Sequence, residues 1–190
     1  MRNALNSKGK RISRFAILAG VLAALCGLII AAQDKYTVTV PNGLAFSEFR
    51  GYEAWQVISI SQAGDEMAVI LGNPLIIQAY LSGVPGNGKL FPDGAKMAKI
   101  HWNSKTSETF PTHTIAGVQR DVDFMAKDSK RFANSGGWGY VVFDYNAGSD
   151  TFRSGTLADK PPQGHDAKCG LACHTLVKTR DYVFTDYSHR

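Results

Sequence analysis

The stretch that decides the fold is Ile115-Ala116-Gly117-Val118-Gln119-Arg120-Asp121-Val122-Asp123-Phe124-Met125-Ala126-Lys127. Apolar and charged residues are interleaved within it, namely Val118, Val122, Phe124 and Ala126 with Arg120, Asp121, Asp123 and Lys127. Because successive side chains of a strand point to opposite faces of a sheet, this alternation predicts a long strand with one buried face.

Similar segments lie on both sides of this strand in the chain. Residues 95–102 follow the turn Pro92-Asp93-Gly94, and residues 138–145 follow Gly136-Gly137. We predict a strand at each, and we expect the second to be buried on both faces because aromatic residues occupy both of its alternating positions. Residues 57–61 and 67–71 have the apolar and β-branched composition of two further strands.

The sequence contains fewer indications of helices than of strands. Asn73-Pro74 can start a helix that runs to residue 80, and aromatic residues three apart predict a short helix over residues 46–55. Residues 146–164 are rich in Gly, Asp and Pro and predict a loop, and residues 181–187 predict a closing strand. The sequence therefore predicts an α+β fold, a single domain with a mainly antiparallel β-sheet and two or three helices.

Residues 1–32 have the layout of a targeting segment. Basic residues precede an apolar run from residue 15 to residue 30, which ends at the small pair Ala31-Ala32. This layout is typical of a secretory signal, and the run is shorter than the about 20 residues of a membrane span. We therefore expect export to the periplasm by a signal or, if it is uncleaved, an N-terminal membrane anchor, followed by one domain over residues 33–190.

The positive charge of the chain is confined to that segment. The chain has 21 Lys and Arg against 16 Asp and Glu, and residues 1–32 contain five of the basic residues and none of the acidic ones. Residues 33–190 therefore hold 16 of each and carry no net charge. The overall basic character gives no reason to expect a nucleic-acid partner.

Near the C-terminus the chain reads Cys169-Gly170-Leu171-Ala172-Cys173-His174. Two cysteines followed directly by histidine are the pattern of a c-type haem site, although three residues separate these cysteines instead of the usual two. Positions four apart share one face of a helix, so a short helix here would point Cys169 and Cys173 the same way. A Cys169–Cys173 disulfide is the alternative, and a zinc site would need a fourth ligand from elsewhere.

Several stretches resemble, in order, the cytochrome P460 family, which includes the related β-sheet cytochromes c′. They run from about residue 45 to the end of the chain, and they are Tyr52-Glu53-Ala54-Trp55, Phe91-Pro92-Asp93-Gly94 through Lys99, residues 127–134, Gly137-Trp138-Gly139-Tyr140, and Cys169 to His174 followed by Tyr182-Val183-Phe184-Thr185.

The resemblance implies an exported homodimer that holds one haem c, with its iron, in each subunit. Cys169 and Cys173 would form the thioethers, and His174 would be the proximal iron ligand. In one branch of the family a strand lysine also bonds to the porphyrin edge, and Lys99 stands at that place, close to Lys96. No distal ligand is matched, so we expect five-coordinate iron, although a sixth ligand is available among Met67, Met97, Met125, His101 and His113.

An open coordination position on the haem iron predicts that a small molecule binds there. We expect an oxidoreductase that binds hydroxylamine or nitric oxide at the haem and passes single electrons to an external acceptor. One alternative is a cytochrome that binds NO without turnover. The other is a haem-free domain with the Cys169–Cys173 disulfide.

Overall fold

The structure is a computed structural model, and it describes residues 32–40, 43–155 and 170–187. The predicted export segment up to residue 31 and Cys169 lie outside the described residues. The chain divides after Ala32 into two units, and the fold described here belongs to the second, residues 33–190. Within the described ranges, no helix combines the length and the apolar character needed to cross a membrane.

One antiparallel sheet organises the described part of the chain. Each strand pairs with the next along the sequence, and the six strands are β1 (Gln56–Ala63), β2 (Glu66–Gly72), β3 (Lys96–Thr106), β4 (Thr114–Lys127), β5 (Trp138–Asn146) and β6 (Thr151–Ser154). Two α-helices, α1 (Pro74–Leu81) and α2 (Leu171–His174), accompany it. The predicted α+β fold, with a mainly antiparallel sheet and few helices, is confirmed.

The first face of the sheet packs against the N-terminal segment. Phe46, Phe49 and Tyr52 are buried there, and the rings of all three contact Phe124 of β4, with centroids 5.5, 4.0 and 5.1 Å away. Alternate residues of β4 face this cluster, as the sequence pattern predicts. The face therefore forms the larger aromatic part of the core.

The second face of the sheet is also covered. Met97, Trp138 and Tyr140 from the strands pack with α1 and with Val183 of the C-terminal segment. Asn73 caps α1 by accepting a hydrogen bond from Ile76 N at 3.1 Å, and Pro74 occupies its first turn, as predicted. Along the C-terminal half of β4, Val122, Phe124 and Ala126 on the first face are buried, and Asp123 and Met125 on the second face are partly buried.

Residues 46–55 do not form the single helix predicted for them. Two 3₁₀ turns, Phe46–Phe49 and Tyr52–Ala54, are separated at Arg50, whose ψ of 130° leaves the helical region. The three-residue spacing of the aromatic side chains matches the period of a 3₁₀ turn and not that of an α-helix. The remaining 3₁₀ turns are Lys35–Thr37, Ala133–Ser135 and Thr175–Arg180.

The prediction of a loop over residues 146–164 is wrong in part. Thr151–Ser154 forms the edge strand β6, in which Phe152 pairs with Tyr145 of β5. The strand is short and mostly polar because it lies at the sheet edge, so it lacks the alternation that marks the central strands. Residues 156–164 of the predicted loop lie outside the described residues.

The predicted closing strand over residues 181–187 is also wrong. Asp181 and Tyr182 have φ values of 52° and 63°, in the left-handed region, which a strand cannot contain. The segment instead lies over the second face of the sheet, where Val183 is buried and the Thr185 carbonyl accepts a hydrogen bond from Tyr80 Oη at 2.9 Å.

Candidate functional site

A cavity of about 870 Å³ lies on the second face of the sheet, between the strands and the C-terminal segment. The strands contribute Ile70, Met97, Lys99, Asp123, Met125 and Tyr140 to its wall, and the C-terminal segment contributes Gly170, Cys173, His174, Val183 and Phe184. The volume is within the 300–1,000 Å³ typical of pockets for small molecules and cofactors. Three of the four predicted site residues, Lys99, Cys173 and His174, thus line one cavity.

Strand register decides which lysine of β3 faces the cavity. Lys99 lines it together with Asp123, its partner on β4. Lys96 is three positions earlier and therefore on the opposite face, where its Nζ donates to the Glu48 carbonyl at 2.6 Å. Of the two lysines that the sequence leaves close together, Lys99 has access to a group in the cavity.

One ring nitrogen of His174 is hydrogen-bonded to the protein backbone. Its Nδ1 lies 2.7 Å from the Tyr182 carbonyl oxygen, and because a carbonyl can only accept, Nδ1 carries the proton. In the neutral ring this leaves the Nε2 lone pair for a metal. Histidines that bind metals commonly donate their other N–H to such a carbonyl.

The surroundings of His174 favour this neutral form. Burial lowers the pKa of His174, the hydrogen bond to the Tyr182 carbonyl opposes this effect, and the charge of Lys99 adds to the lowering. The rings of Tyr140 and Phe184 pack against the imidazole, with centroids 4.8 and 5.1 Å away. The ring is therefore held by two aromatic contacts as well as through Nδ1.

The helix that carries Cys173 is short, as predicted. It begins at Leu171, after Gly170 with its left-handed φ of 75°. Cys169, which the expected shared helical face also needs, lies outside the described residues. Cys173 itself is a free thiol that lines the cavity beside His174. A Cβ at Gly170 would lie 2.9 Å from the Tyr140 ring, so glycine is required by both its φ and its packing.

The five candidate sixth ligands of the iron differ in whether they line the cavity. Met97 and Met125 line the cavity, and Met67, His101 and His113 are not among its lining residues. Met97 and Met125 are also cross-strand partners in the sheet and pack in its second core cluster. The expectation of an open coordination position stays a prediction.

Two carboxylate residues line the cavity, Asp123 and Asp186, and the sequence interpretation singled out neither; Asp123 is the one on the sheet side. Its side chain is 41% exposed, and a group that fills the cavity would cover it. Desolvation by the surrounding protein atoms raises the pKa of the Asp123 carboxyl to about 6, an effect that the charge of His101 partly offsets and the charge of Asp121 reinforces. The signal was present in the sequence, because the alternation of β4 places Asp121 and Asp123 on the same face.

A polar cluster continues from Asp123 along this face. His101 Nδ1 lies 2.5 Å from Asp121 Oδ1 and 4.0 Å from Asp123 Oδ2, and His101 Nε2 lies 3.7 Å from Glu66 Oε1. Burial disfavours the charged imidazole, but the hydrogen bond to Asp121 and the charges of Asp123 and Asp121 outweigh it, so the pKa of His101 is raised. The cluster extends from Asp123 in the cavity wall to the partly exposed Glu66.

The residues of the cavity fit a haem. His174 presents Nε2 with its proton on the other nitrogen, and the Cys173 thiol is next to it in sequence. Met97, Tyr140 and Val183 supply an apolar wall for the macrocycle. The arrangement offers a proximal ligand and an attachment point on one side of the cavity and Lys99 with Asp123 on the sheet side.

Comparison with known proteins gives the family. No curated protein matches this chain. The family model described as cytochrome P460 matches residues 49–185, a range that contains all the strands, the cavity-lining residues up to Thr185, and the Cys169 to His174 segment. Because this match covers well over half of the sequence, the chain belongs to the cytochrome P460 family, a family of haem proteins.

Proposed function

We propose that this protein is an exported haem c oxidoreductase that oxidises hydroxylamine in the cavity. The single observation that carries the proposal is the placement of Asp123 in the same cavity as His174 and Lys99. Oxidation of hydroxylamine releases protons together with electrons, so its site needs a base. Nitric oxide has no proton to give up, and the acid–base group therefore favours hydroxylamine as the substrate.

The attachment of the haem is assigned to the C-terminal segment. Cys173 and Cys169 would form the thioethers, and His174 Nε2 would bind the iron. When bound, the haem supplies single-electron transfer and an open coordination position for the substrate nitrogen. The hydrogen bond from His174 Nδ1 to the Tyr182 carbonyl, 2.7 Å long, keeps the imidazole in one tautomer and raises its basicity.

Asp123 is the proposed proton acceptor. A base is most effective when its pKa lies near the working pH, and burial raises the pKa of Asp123 to about 6. The imidazole of His101 lies 4.0 Å from the carboxylate and connects it with the partly exposed Glu66. The electrons leave separately to an external acceptor.

Lys99 has two proposed roles on the sheet side of the cavity. A covalent bond from its Nζ to the porphyrin edge would hold the macrocycle against the sheet and change its conjugation. Where that bond is absent, Nζ keeps its charge, which lowers the pKa of Asp123 and limits the rise caused by burial. The cross-strand pairing of Lys99 with Asp123 supports both roles, because it brings the amine and the carboxylate to one wall.

The cellular setting belongs to the same proposal. Residues 1–32 would direct the chain to the periplasm, where c-type haem is attached, and an uncleaved segment would anchor it to the membrane. The partners would be hydroxylamine, an external electron acceptor and a second copy of the chain in a homodimer.

The deciding experiment expresses the full chain together with a haem-maturation system. We expect a haem signal that stays with the polypeptide after denaturation, and reduction of an external one-electron acceptor that depends on hydroxylamine. Covalent haem without this turnover, but with NO binding, would make the protein an NO-binding cytochrome. Absence of covalent haem in the matured protein would contradict the haem c assignment itself.

A further inference from the structure

An ion pair is buried beneath the segment that carries Tyr182. Lys127 Nζ lies 2.6 Å from Asp181 Oδ1, and the two side chains are only 3% and 2% exposed. The second carboxylate oxygen, Asp181 Oδ2, accepts a hydrogen bond from Phe91 N at 2.8 Å. Among the ion pairs of the described residues, this is the one in which both partners are buried.

The lysine is itself fixed by backbone contacts. Lys127 N donates to the Ala95 carbonyl at 2.9 Å, and the Lys127 carbonyl accepts from Gly94 N at 2.8 Å. Its Nζ also donates to the Gly136 carbonyl at 2.9 Å and lies 5.1 Å from the centre of the Trp138 ring. Lys127 therefore holds Asp181 from a rigid position at the end of β4.

A second contact links the same lysine to Tyr182. Gly136, whose carbonyl binds Lys127, lies directly under the Tyr182 ring, and a Cβ built on it would be 2.1 Å from Tyr182 Cε2. Tyr182 is thus held through its ring by Gly136 and through its chain neighbour Asp181 by the ion pair. Both contacts depend on Lys127, whose Nζ binds the Asp181 carboxylate and the Gly136 carbonyl.

The backbone at this point needs such support. Asp181 and Tyr182 are consecutive non-glycine residues with left-handed φ values of 52° and 63°. This conformation is costly for residues with a Cβ and persists where the surrounding structure over-determines it. It is also the conformation that turns the Tyr182 carbonyl to His174 Nδ1, 2.7 Å away.

We propose that Lys127 and Asp181 are positioning residues for the haem site: their buried ion pair holds the left-handed turn whose Tyr182 carbonyl orients His174. The inference rests on the proposed function in so far as His174 is taken to bind the iron. Neither residue lines the cavity, and Tyr182 is the link between the pair and His174. Loss of the pair frees the carbonyl, which weakens the Nδ1 hydrogen bond and with it the basicity of His174.

The test compares one double variant with two controls in the matured full-length protein. K127M/D181N removes both charges at nearly constant volume and keeps an amide oxygen for Phe91 N, so no buried charge is left alone. R153Q/D144N removes an exposed ion pair between β5 and β6. Phe143→Leu lowers stability in the core cluster on the other face of the sheet. K127R is a fourth variant that conserves the charge.

The readouts are the iron–histidine stretching band of the reduced protein and its reduction potential. We expect the band of K127M/D181N to shift to lower frequency and the potential to rise, because a less basic imidazole donates less electron density to iron. K127R should stay closer to the unmodified protein. Unchanged values in the double variant, or equal shifts in Phe143→Leu, would overturn the positioning role.

A measurement on the full chain without haem separates this inference from the proposed function. The ring ¹⁵N resonances of His174 should report one tautomer with a protonated Nδ1, and K127M/D181N should lose that preference. If the unmodified protein carries no covalent haem, the proposed function fails, and the tautomer measurement still decides the role of the pair. Retention of the Nδ1–H tautomer in the double variant would contradict it.

Discussion

At the scale of single residues, the chemistry of the cavity depends on what its lining side chains can gain or lose. Asp123 and Lys99 share a cross-strand position and face the cavity, and His174 faces it from the other side. Lys99 differs from its near neighbour Lys96 by the face of β3 on which it lies, and Asp123 differs from Asp65 by its place in the cavity wall. These differences supply matched controls for the predictions on these residues.

Asp123→Asn should lower the turnover number for hydroxylamine by about 100-fold or more, because loss of a general base typically costs 10²–10⁴-fold. The haem spectrum should be retained, since Asp123 is not a proposed haem ligand. Steady-state kinetics measure the effect. Asp65→Asn, in the exposed turn between β1 and β2, is the control and should keep full activity. Full activity of Asp123→Asn would show that another group accepts the proton.

Asp123 should also make the stability of the haem-free chain depend on pH. Its pKa is raised from 3.8 to about 6, so the folded state binds this proton more tightly than the unfolded state does. The stabilisation is complete below pH 3.8 and is lost as the pH rises through about 6. Denaturant unfolding from pH 4 to 7 should show this decline, and Asp123→Asn should flatten it. The other charged groups acting on Asp123 are His101, Asp121, Lys99 and Glu66.

Lys99→Met should change the visible spectrum of the matured protein if Lys99 is bonded to the porphyrin. A bond at the ring edge alters conjugation, and its loss should return the spectrum to that of an ordinary c-type haem. Lys96→Met is the matched control, because Lys96 lies on the opposite face of the same strand. Identical spectra for Lys99→Met and the unmodified protein would exclude the cross-link.

At the scale of elements, the cysteine segment and the C-terminal turn matter most. Gly170 allows the backbone to pack closely against the Tyr140 ring where α2 begins. The left-handed residues Asp181 and Tyr182 reverse the chain direction, so that the chain returns towards His174. Both features are left-handed backbone positions, and neither appears in a pattern of alternating or helical hydrophobicity. They explain why the predicted closing strand is wrong and why the short helix of the cysteine segment begins at Leu171.

Gly170→Ala should destabilise the protein by more than the about 1–2 kcal/mol that a left-handed residue with a Cβ costs. The excess arises because the added Cβ would lie 2.9 Å from the Tyr140 ring. Gly88→Ala measures the backbone cost alone, since Gly88 has a φ of 76° and nothing within 4 Å of its Cβ position. Chemical denaturation of both variants gives the comparison, and equal losses would mean that Tyr140 moves aside freely.

At the scale of the whole molecule, the sheet is covered on both faces but only one of them contains the cavity. The first face is filled by aromatic side chains of the N-terminal segment. The second is covered by α1 and the C-terminal segment, and the space of about 870 Å³ lies between the strands and the C-terminal segment. A haem in that space would complete the second core.

Protein without covalent haem should therefore be less stable than the matured protein. C169A/C173A should lose at least about 3 kcal/mol, the loss typical for a large buried aromatic group. For a domain of this size that is a fall in Tm of about 6–12 °C. Calorimetry measures the difference, and Cys26→Ala, in the predicted export segment, should leave Tm unchanged. Equal Tm values for C169A/C173A and the unmodified protein would show that the haem adds nothing to the core.

The sequence by itself determined the sheet, and it indicated the segment to which haem attachment is proposed. The alternation along residues 115–127 is a local property of an extended chain, and it correctly predicted β4 and, with the neighbouring segments, an antiparallel α+β fold. The Cys169 to His174 pattern is equally local. The tertiary structure alone decided that Lys99 and not Lys96 faces the cavity, that Asp123 joins it there, and that the Tyr182 carbonyl meets His174. Those outcomes depend on strand register and on a buried ion pair between residues 54 positions apart, which no local pattern records.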